Sequence, residues 1–382
     1  MRILYHHRTA SRDGQAVHIE EMIHALRQLG HEVRVVAPGG NDQRGMGARV
    51  SWAHRLKATL PKSLYELLEL GYSLVAYRQL AAAAREFKPD VLYERYNLFL
   101  LSGVMLKHYF GIPMLLEVNG PLAYERSRYG GLALRRIGRW AEGAAWRGAN
   151  YVLPVTEVLA EQVRASGVPD ERIRVIPNGI NREHFASAPS RDEVKRQMGL
   201  SGKIVLGFTG FVRDWHGVDR VVRWLASSPA ANAHLLIVGD GPARPGIERL
   251  AEDLGVRDRL TFTGVIDRER VPGQVAAFDI ALQPAVTPYA SPLKLMEYLV
   301  LGKAIVAPRE PNLLEILTDG RNALLFYNDH PNGLETALNT LAGDAGLRQR
   351  LEIEAAATID RLQLTWIGNA RRVIDLAASH CA

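Results

Sequence analysis

Short apolar runs alternate with segments of helical spacing along most of the chain. RILYHH is followed by a helix-period stretch from His18 to Leu29 and then by HEVRVVAP, which predicts a strand, a helix and a strand. Pro61 to Phe87, rich in alanine and leucine, predicts a long helix stopped by Lys88-Pro89-Asp90, with VLYERY as the next strand. Helical patterns at Leu98 to Tyr109 and Leu132 to Arg147 lead into the strands IPMLLEVNGP and ANYVLPVT. ERIRVIPNGINREHF carries a short strand and then Pro177, Asn178, Gly179 and Asn181, residues that favour turns, so a domain boundary is expected there. The alternation restarts with KIVLGFTG and continues through Val218 to Ala226, HLLIVGDGP, Ile247 to Leu254, LTFTGVI and DIALQPAV.

Strands separated by helices pair in parallel through right-handed crossovers. The expected fold class is therefore α/β, with two Rossmann-like, doubly wound parallel sheets facing across a cleft at their strand carboxyl ends. A length of 382 residues also favours two cores over one.

Composition narrows the chemistry only a little. The single cysteine, Cys381, excludes an internal disulfide framework and any multi-thiolate metal site, and fits a reducing compartment. MRILYHHRTA meets charge too early for a secretory signal, and no uncharged apolar run approaches membrane-spanning length. A cytoplasmic protein, peripheral at the inner membrane face if it meets the membrane at all, is the expectation. The net charge of +6 suits phosphorylated small molecules, an anionic membrane or nucleic acid. Zinc-ligand spacings, an aromatic RNA-binding signature and clustered lysines are all missing, so nucleic acid is not expected as a partner.

The most informative segment is YASPLKLMEYLVLGKAIVAP, residues 289–308. Ser291 suits a helix N-cap and Pro292 the first helical position, which would leave free N–H groups at Leu293 and Lys294. The helix dipole and the Lys294 ammonium would then favour a diphosphate, and Glu297, one turn on, could accept from a ribose diol. The same pattern also describes an amphipathic helix with a solvated Lys and Glu. Glu117 and Asn119 end the strand MLLEVNGP, where they would reach a substrate or form a structural ion pair. Glu94 and Arg95 follow VLY at another strand end, where they would reach the cleft or form surface ion pairs.

Three segments together resemble the family 4 retaining glycosyltransferases of the GT-B fold. IRVIPNGIN is similar to their interdomain signature, LLIVGDGPARPGIERLAEDLGV to their strand-turn-helix, and residues 289–308 to their donor-binding helix. The resemblance covers most of residues 1–380. It implies transfer of a sugar from a UDP- or GDP-linked donor to an acceptor hydroxyl, in surface polysaccharide or glycoconjugate synthesis. The sugar–phosphate bond would break with retention, the departing phosphate taking the acceptor proton, with no cofactor and no metal required by the sequence. It further implies domains at 1–178 for the acceptor and 179–360 for the donor, with LTWIGNARRVIDL in a terminal helix, 361–382, that crosses back.

Carried onto this chain residue by residue, the resemblance places Arg213, Lys294, Asn119 and Glu117 as candidates at the reacting centre. Glu297, Ser291, Pro292, Leu293, Gly14, His216, Gly210, Gly239, Gly264 and Val265 would bind the donor, and Arg95 and Glu94 the acceptor. Gly14 lies in HHRTASRDGQAVHI, the loop that the family sets beside the leaving phosphate. Departures are visible. Tyr289 replaces the first of the family's two donor-helix glutamates, Phe211 and His216 replace an arginine and a lysine, and Asn119 stands where a histidine is frequent. Arg213, two residues past Phe211, would supply the missing charge, and His216 would donate to the diphosphate or cap the next helix. His18 reads as structural.

Residues 122–147 carry Arg126, Arg128, Arg135, Arg136, Arg139 and Arg147 with Trp140 and Trp146. That composition suits an anionic membrane and a lipid-linked acceptor, or a solvated helix with its tryptophans on the sheet. The rival readings are a nucleotide-sugar 2-epimerase on the same fold and a non-enzymatic sugar- or nucleotide-binding protein.

Overall fold

A computed structural model describes residues 1–9, 14–37 and 60–381. The chain forms two compact units, Met1–Pro177 with Trp366–Ala382, and Asn178–Thr365.

The first unit holds β1 (Arg2–His6), β2 (Glu32–Val36), β3 (Val91–Arg95), β4 (Met114–Val118) and β5 (Tyr151–Pro154), all parallel, in the order β2-β1-β3-β4-β5. Every residue of β3 and β4 is buried, as expected for a parallel sheet covered by helices on both faces. Strand order reverses between β1 and β3, which opens a crevice beyond His6 and Glu94. The helix Gly14–Gln28 begins four residues before the expected His18, so Gly14 opens the helix and is not in the connecting loop. Residues 10–13 of that loop lie outside the described residues.

The second unit holds β6 (Ile204–Thr209), β7 (Ala233–Val238), β8 (Leu260–Phe262), β9 (Ile280–Leu282), β10 (Ala304–Pro308) and β11 (Leu324–Phe326), again parallel, ordered β11-β10-β9-β6-β7-β8. Its reversal falls between β6 and β9. Alternation along β6 sends Val205 into a cluster with Leu295, Met296 and Leu299, and Leu206 and Phe208 into another with Val221, Val222 and Leu225. The sheet is thus packed on both faces. Burial of each such side chain is worth about 1.5–3 kcal/mol, which is what holds the helices Val218–Ser227 and Leu293–Val300 in register.

The short strand expected in ERIRVIPNG reduces to one bridge, Ile173 to Val152. Arg174 and Ile176 still donate to the Val152 and Pro154 carbonyls of β5, but Pro177, which lacks an N–H, ends the pairing. The terminal helix runs from Trp366 to Cys381 and belongs to the first unit. The Trp366 ring meets His18 of the helix Gly14–Gln28 at 4.7 Å, and Asn369 Nδ2 donates to the Pro177 carbonyl at 2.7 Å. Among the described residues no helix is long and apolar enough to cross a membrane.

Candidate functional site

In the second unit, the helix Leu293–Val300 follows β9 and turns Leu295, Met296 and Leu299 into the core. Leu293, Lys294 and Glu297 are left half-buried on its other side. The expected cap is displaced by one residue. Pro292, at φ −70° and ψ 124°, is the boundary residue and Leu293 the first helical one. Ser291 does not cap the helix: its hydroxyl accepts from the Asn178 N–H at 3.2 Å, and its carbonyl accepts from Asn178 Nδ2 at 2.6 Å. A following proline disfavours helical geometry at Ser291, which leaves the hydroxyl for Asn178. The N–H groups of Leu293 and Lys294 precede any intrahelical acceptor, so the positive end of the helix remains where it was expected.

Lys294 folds back toward the end of β6, its Nζ 3.5 Å from the centroid of Phe208. Burial lowers its ammonium to about 7, the Glu297 carboxylate opposing part of that shift. Burial likewise raises Glu297 to about 7 against the pull of Lys294 and Arg268. Glu297 Oε2 is buried with no hydrogen-bond partner. Desolvated charges beside an unused acceptor are a common mark of a ligand site.

The strand ends around this helix are glycine for a steric reason. Gly239, at φ 140°, follows β7, and a Cβ there would lie 2.2 Å from the Gly210 carbonyl oxygen. At Gly210, φ 115°, an added Cβ would lie 3.7 Å from Lys294 Cε. Gly264 lies beyond β8 at φ 70°, and Val265 after it is 84% exposed. Tyr289, at the position of the absent glutamate, is buried. The segment around it is held by Asn312 Nδ2, which donates to the Thr287 and Ala290 carbonyls at 3.1 and 2.6 Å.

The segment after β6 separates the two expected phosphate ligands. His216 Nδ1 accepts from the Arg213 N–H at 3.1 Å, which fixes the neutral tautomer with its proton on Nε2. Burial, then the charges of Lys294 and Arg213, lower this imidazole to about 3. His216 is therefore a neutral donor near Lys294. The Arg213 guanidinium is instead exposed and stacked 5.0 Å from Phe211 and 4.9 Å from Trp215. Both aromatic faces attract its charge.

In the first unit the strand-end charges turn inward. Glu117 Oε1 accepts from Arg95 and from Asn119 Nδ2; its Oε2 accepts from the Tyr93 hydroxyl at 2.7 Å and lies 2.9 Å from His18 Nε2. Burial alone would raise this carboxyl, but the charges of His18 and Arg95 and the hydrogen bonds of His18 and Tyr93 hold it well below the usual carboxylate range. Glu94 Oε2 lies 2.5 Å from His6 Nδ1, and its carboxylate so crowds the first turn of the helix Ser102–Phe110 that a Cβ at Gly103 would be 2.6 Å from it. Glu94 and Arg95, expected to meet an acceptor, are 1% and 7% exposed and committed to these pairs. Charges removed from water must pair, and the strand ends provide the partners. His7, next to this group, is half-buried and lowered to about 4 by burial and by His6 and Arg95. Among the described residues no three His, Cys, Asp or Glu side chains gather closely enough to hold a metal ion.

Comparison with known proteins fits both units. The model of Glycosyltransferase Family 4 matches residues 12–184, and that of Glycosyl transferases group 1 matches residues 203–344. The chain belongs to the family 4 type of GT-B glycosyltransferase. It is 28% identical over 322 residues to the 2-deoxystreptamine N-acetyl-D-glucosaminyltransferase of Streptomyces fradiae, a match covering 80% of this chain and 74% of that one. Its fold matches sucrose-phosphate synthase from Thermosynechococcus elongatus with a TM-score of 0.79 at 20% identity, over 99% of this chain and 98% of the other. HepE of Anabaena, solved in complex with UDP and glucose, matches with a TM-score of 0.75 at 17% identity over 99% and 100% of the two chains.

Two residues of this glycosyltransferase, Asn178 and Tyr93, escaped sequence reasoning in their roles, and His18, read as structural, gained a named partner in Glu117. Asn178 was legible only as a turn residue, yet its side chain anchors the start of the donor-type helix. His18 and Tyr93 complete the Glu117 cluster from a helix and a neighbouring strand.

Proposed function

We propose that this glycosyltransferase takes its sugar from a UDP- or GDP-linked donor and passes it, with retention, to a hydroxyl of a sugar or lipid-linked acceptor in surface polysaccharide or glycoconjugate synthesis. The observation that carries the reading is the half-buried Lys294–Glu297 pair on the helix whose first free N–H groups belong to Leu293 and Lys294. The UDP and glucose held by HepE, a protein of the same fold, lend it support.

In this reading the diphosphate lies on the helix end. The Lys294 ammonium, the Leu293 and Lys294 N–H groups and His216 Nε2–H stabilise the charge that grows on it as the bond from the anomeric carbon to the phosphate oxygen breaks. Glu297 Oε2 accepts from the ribose diol. The acceptor oxygen bonds the anomeric carbon on the face the phosphate leaves, and the acceptor proton passes to the departing phosphate oxygen. Glu117, with its oxygens occupied by buried donors, is a positioning group for Arg95 and Asn119 and takes no proton.

A panel of nucleoside diphosphates and their sugars, screened by thermal shift and then by release of free diphosphate, tests the reading. The expected result is stabilisation by one nucleotide series, slow diphosphate release that quickens with acceptor, and loss of both in Glu297→Ala. Donor isomerised at C2 with no acceptor consumed would favour an epimerase, and binding without turnover would favour a binding protein.

A further inference from the structure

Glu94 and Arg95 are committed to buried pairs, so they leave an acceptor no charged hold at their own strand end. Unused polar atoms lie instead just past β1, where the strand order of the first sheet reverses and where open α/β sheets bind their ligands. His7 Nδ1 and Arg8 Nη1, on consecutive residues, are both buried without a hydrogen-bond partner. Leaving such an atom unsatisfied costs about 1–3 kcal/mol, so the pair calls for an occupant.

Arg8 is held against the helix Lys62–Phe87, in which Tyr65, Glu69 and Tyr72 recur at the spacing of one helical face. Its guanidinium lies 4.8 Å from the centroid of the Tyr72 ring, and its Nη2 comes no closer than 3.9 Å to Glu69 Oε1. Glu69 Oε2 pairs more tightly with Arg126 Nη2, at 2.6 Å, and that guanidinium lies 5.6 Å from the Phe99 centroid. Arg126 opens the π-helical turn Arg126–Gly130 beyond β4, a backbone irregularity that is frequent at functional sites. Two arginines thus share one carboxylate, each steadied by an aromatic face. Among the described residues neither pairs with a second acid. Glu66, one turn earlier on the helix, is buried and accepts from the Ala133 and Leu134 N–H groups at 2.9 and 2.7 Å. One positive charge is left over. The side chains of Arg8 and Arg126 are 21% and 26% exposed, so a ligand can reach both.

We propose that these two guanidiniums hold an oxyanion carried by the acceptor, a phosphate or carboxylate on a sugar, with Arg8 Nη1 as one donor and Arg126 as the other. Glu69, already between them, marks the size of group they can grip. A neutral acceptor would leave the surplus charge and the buried Nη1 uncompensated. The acceptor role rests on the glycosyl-transfer reading, whereas the anion site belongs to the first unit alone.

Calorimetry of the full chain tests it, with the 6-phosphates and uronates of glucose, galactose and mannose set beside the neutral sugars and inorganic phosphate. At least one anionic sugar is expected to bind about tenfold tighter than its neutral parent, and to weaken as salt rises. A 6-phosphate bound best makes the acceptor a phosphorylated sugar; a uronate bound best makes it an acidic one. Arg8→Gln and Arg126→Gln should each weaken that binding about tenfold, and Glu69→Gln, which removes the competing carboxylate, should tighten it. If the three side chains only clamp the helix, Glu69→Gln lowers the melting temperature and brings no gain in anion affinity, which overturns the proposal. Nucleoside diphosphate affinity should be the same in all three variants. With a working donor, Arg8→Gln should raise the acceptor KM and leave the donor KM unchanged. The two readings fail separately: absence of nucleotide binding sinks the donor site, while nucleotide binding with no preference for any anionic sugar sinks the anion site. Inorganic phosphate bound as tightly as every sugar phosphate, an adventitious ion only, also overturns the proposal, as does displacement of the anionic sugars by nucleoside diphosphate. Where Arg8→Gln does not fold, Arg126→Gln and Glu69→Gln decide.

Discussion

Lys294 Nζ stands over the ring of Phe208, 3.5 Å from its centroid, at the end of the strand that opens the second sheet. The aromatic face replaces some of the water that the ammonium loses, yet burial still brings its proton affinity down to about 7. Below that value the free protein offers the cation a diphosphate needs; above it, binding must take up a proton. Nucleoside diphosphate affinity should therefore fall as pH rises from about 7 toward 9. Lys294→Met should lose about one to two orders of magnitude in affinity at pH 6 and show a flatter profile, as calorimetry across that range would reveal.

Asn178 holds the segment that leads into the same helix. Its Nδ2 is bonded to the Ser291 carbonyl at 2.6 Å. Asn178→Ala leaves that buried carbonyl without its donor, and should cost about 1–3 kcal/mol and raise the donor KM. Asn178→Asp should be worse than alanine, because it aims a carboxylate at the carbonyl oxygen. Chemical denaturation and donor titration of the two variants decide this, and equal behaviour would mean that the contact carries little.

How far such features were visible in the chain depends on how local they are. The strands of both sheets were legible because parallel sheets bury both faces, so VLYER and MLLEV read as apolar runs. The helix Leu293–Val300 was legible with its free end, although its boundary moved by one residue because Pro292 takes the cap position. The charges were not legible in the same way. Glu94, Arg95 and Glu117 could be placed at strand ends, but the residues that pair with them, His6 and His18 among them, come from elements remote in sequence. The surroundings of Arg213 were hidden for a related reason: local spacing could not foresee Phe211 and Trp215 closing on its guanidinium.

His216 should make the second unit sensitive to acid. Its imidazole is lowered to about 3 in the folded chain against 6.5 for an ordinary histidine, so between these values only the unfolded chain takes up the proton. Stability is lost as pH falls from 6.5 toward 3 and levels off below. His216→Gln removes that titration. At pH 8 the variant should be less stable by about 1 kcal/mol, the worth of one hydrogen bond, and the gap should narrow or invert near pH 4. Urea unfolding at the two pH values reads the crossover directly.

Glu117 separates support from chemistry in the first unit. Its carboxylate gathers Arg95, Asn119, Tyr93 and His18, and is held below the usual carboxylate range. Such a group contributes stability above its unfolded proton affinity and loses it as pH falls through the lower, folded one. Glu117→Gln leaves Arg95 buried without its counter-charge and should cost about 3–5 kcal/mol. Its remaining acid sensitivity should be shallower than that of the parent. If Glu117 only positions its neighbours, kcat of the folded fraction should keep the pH profile of the parent. A fall of about two to four orders of magnitude in kcat, with melting temperature unchanged, would instead make it a proton acceptor in the reaction.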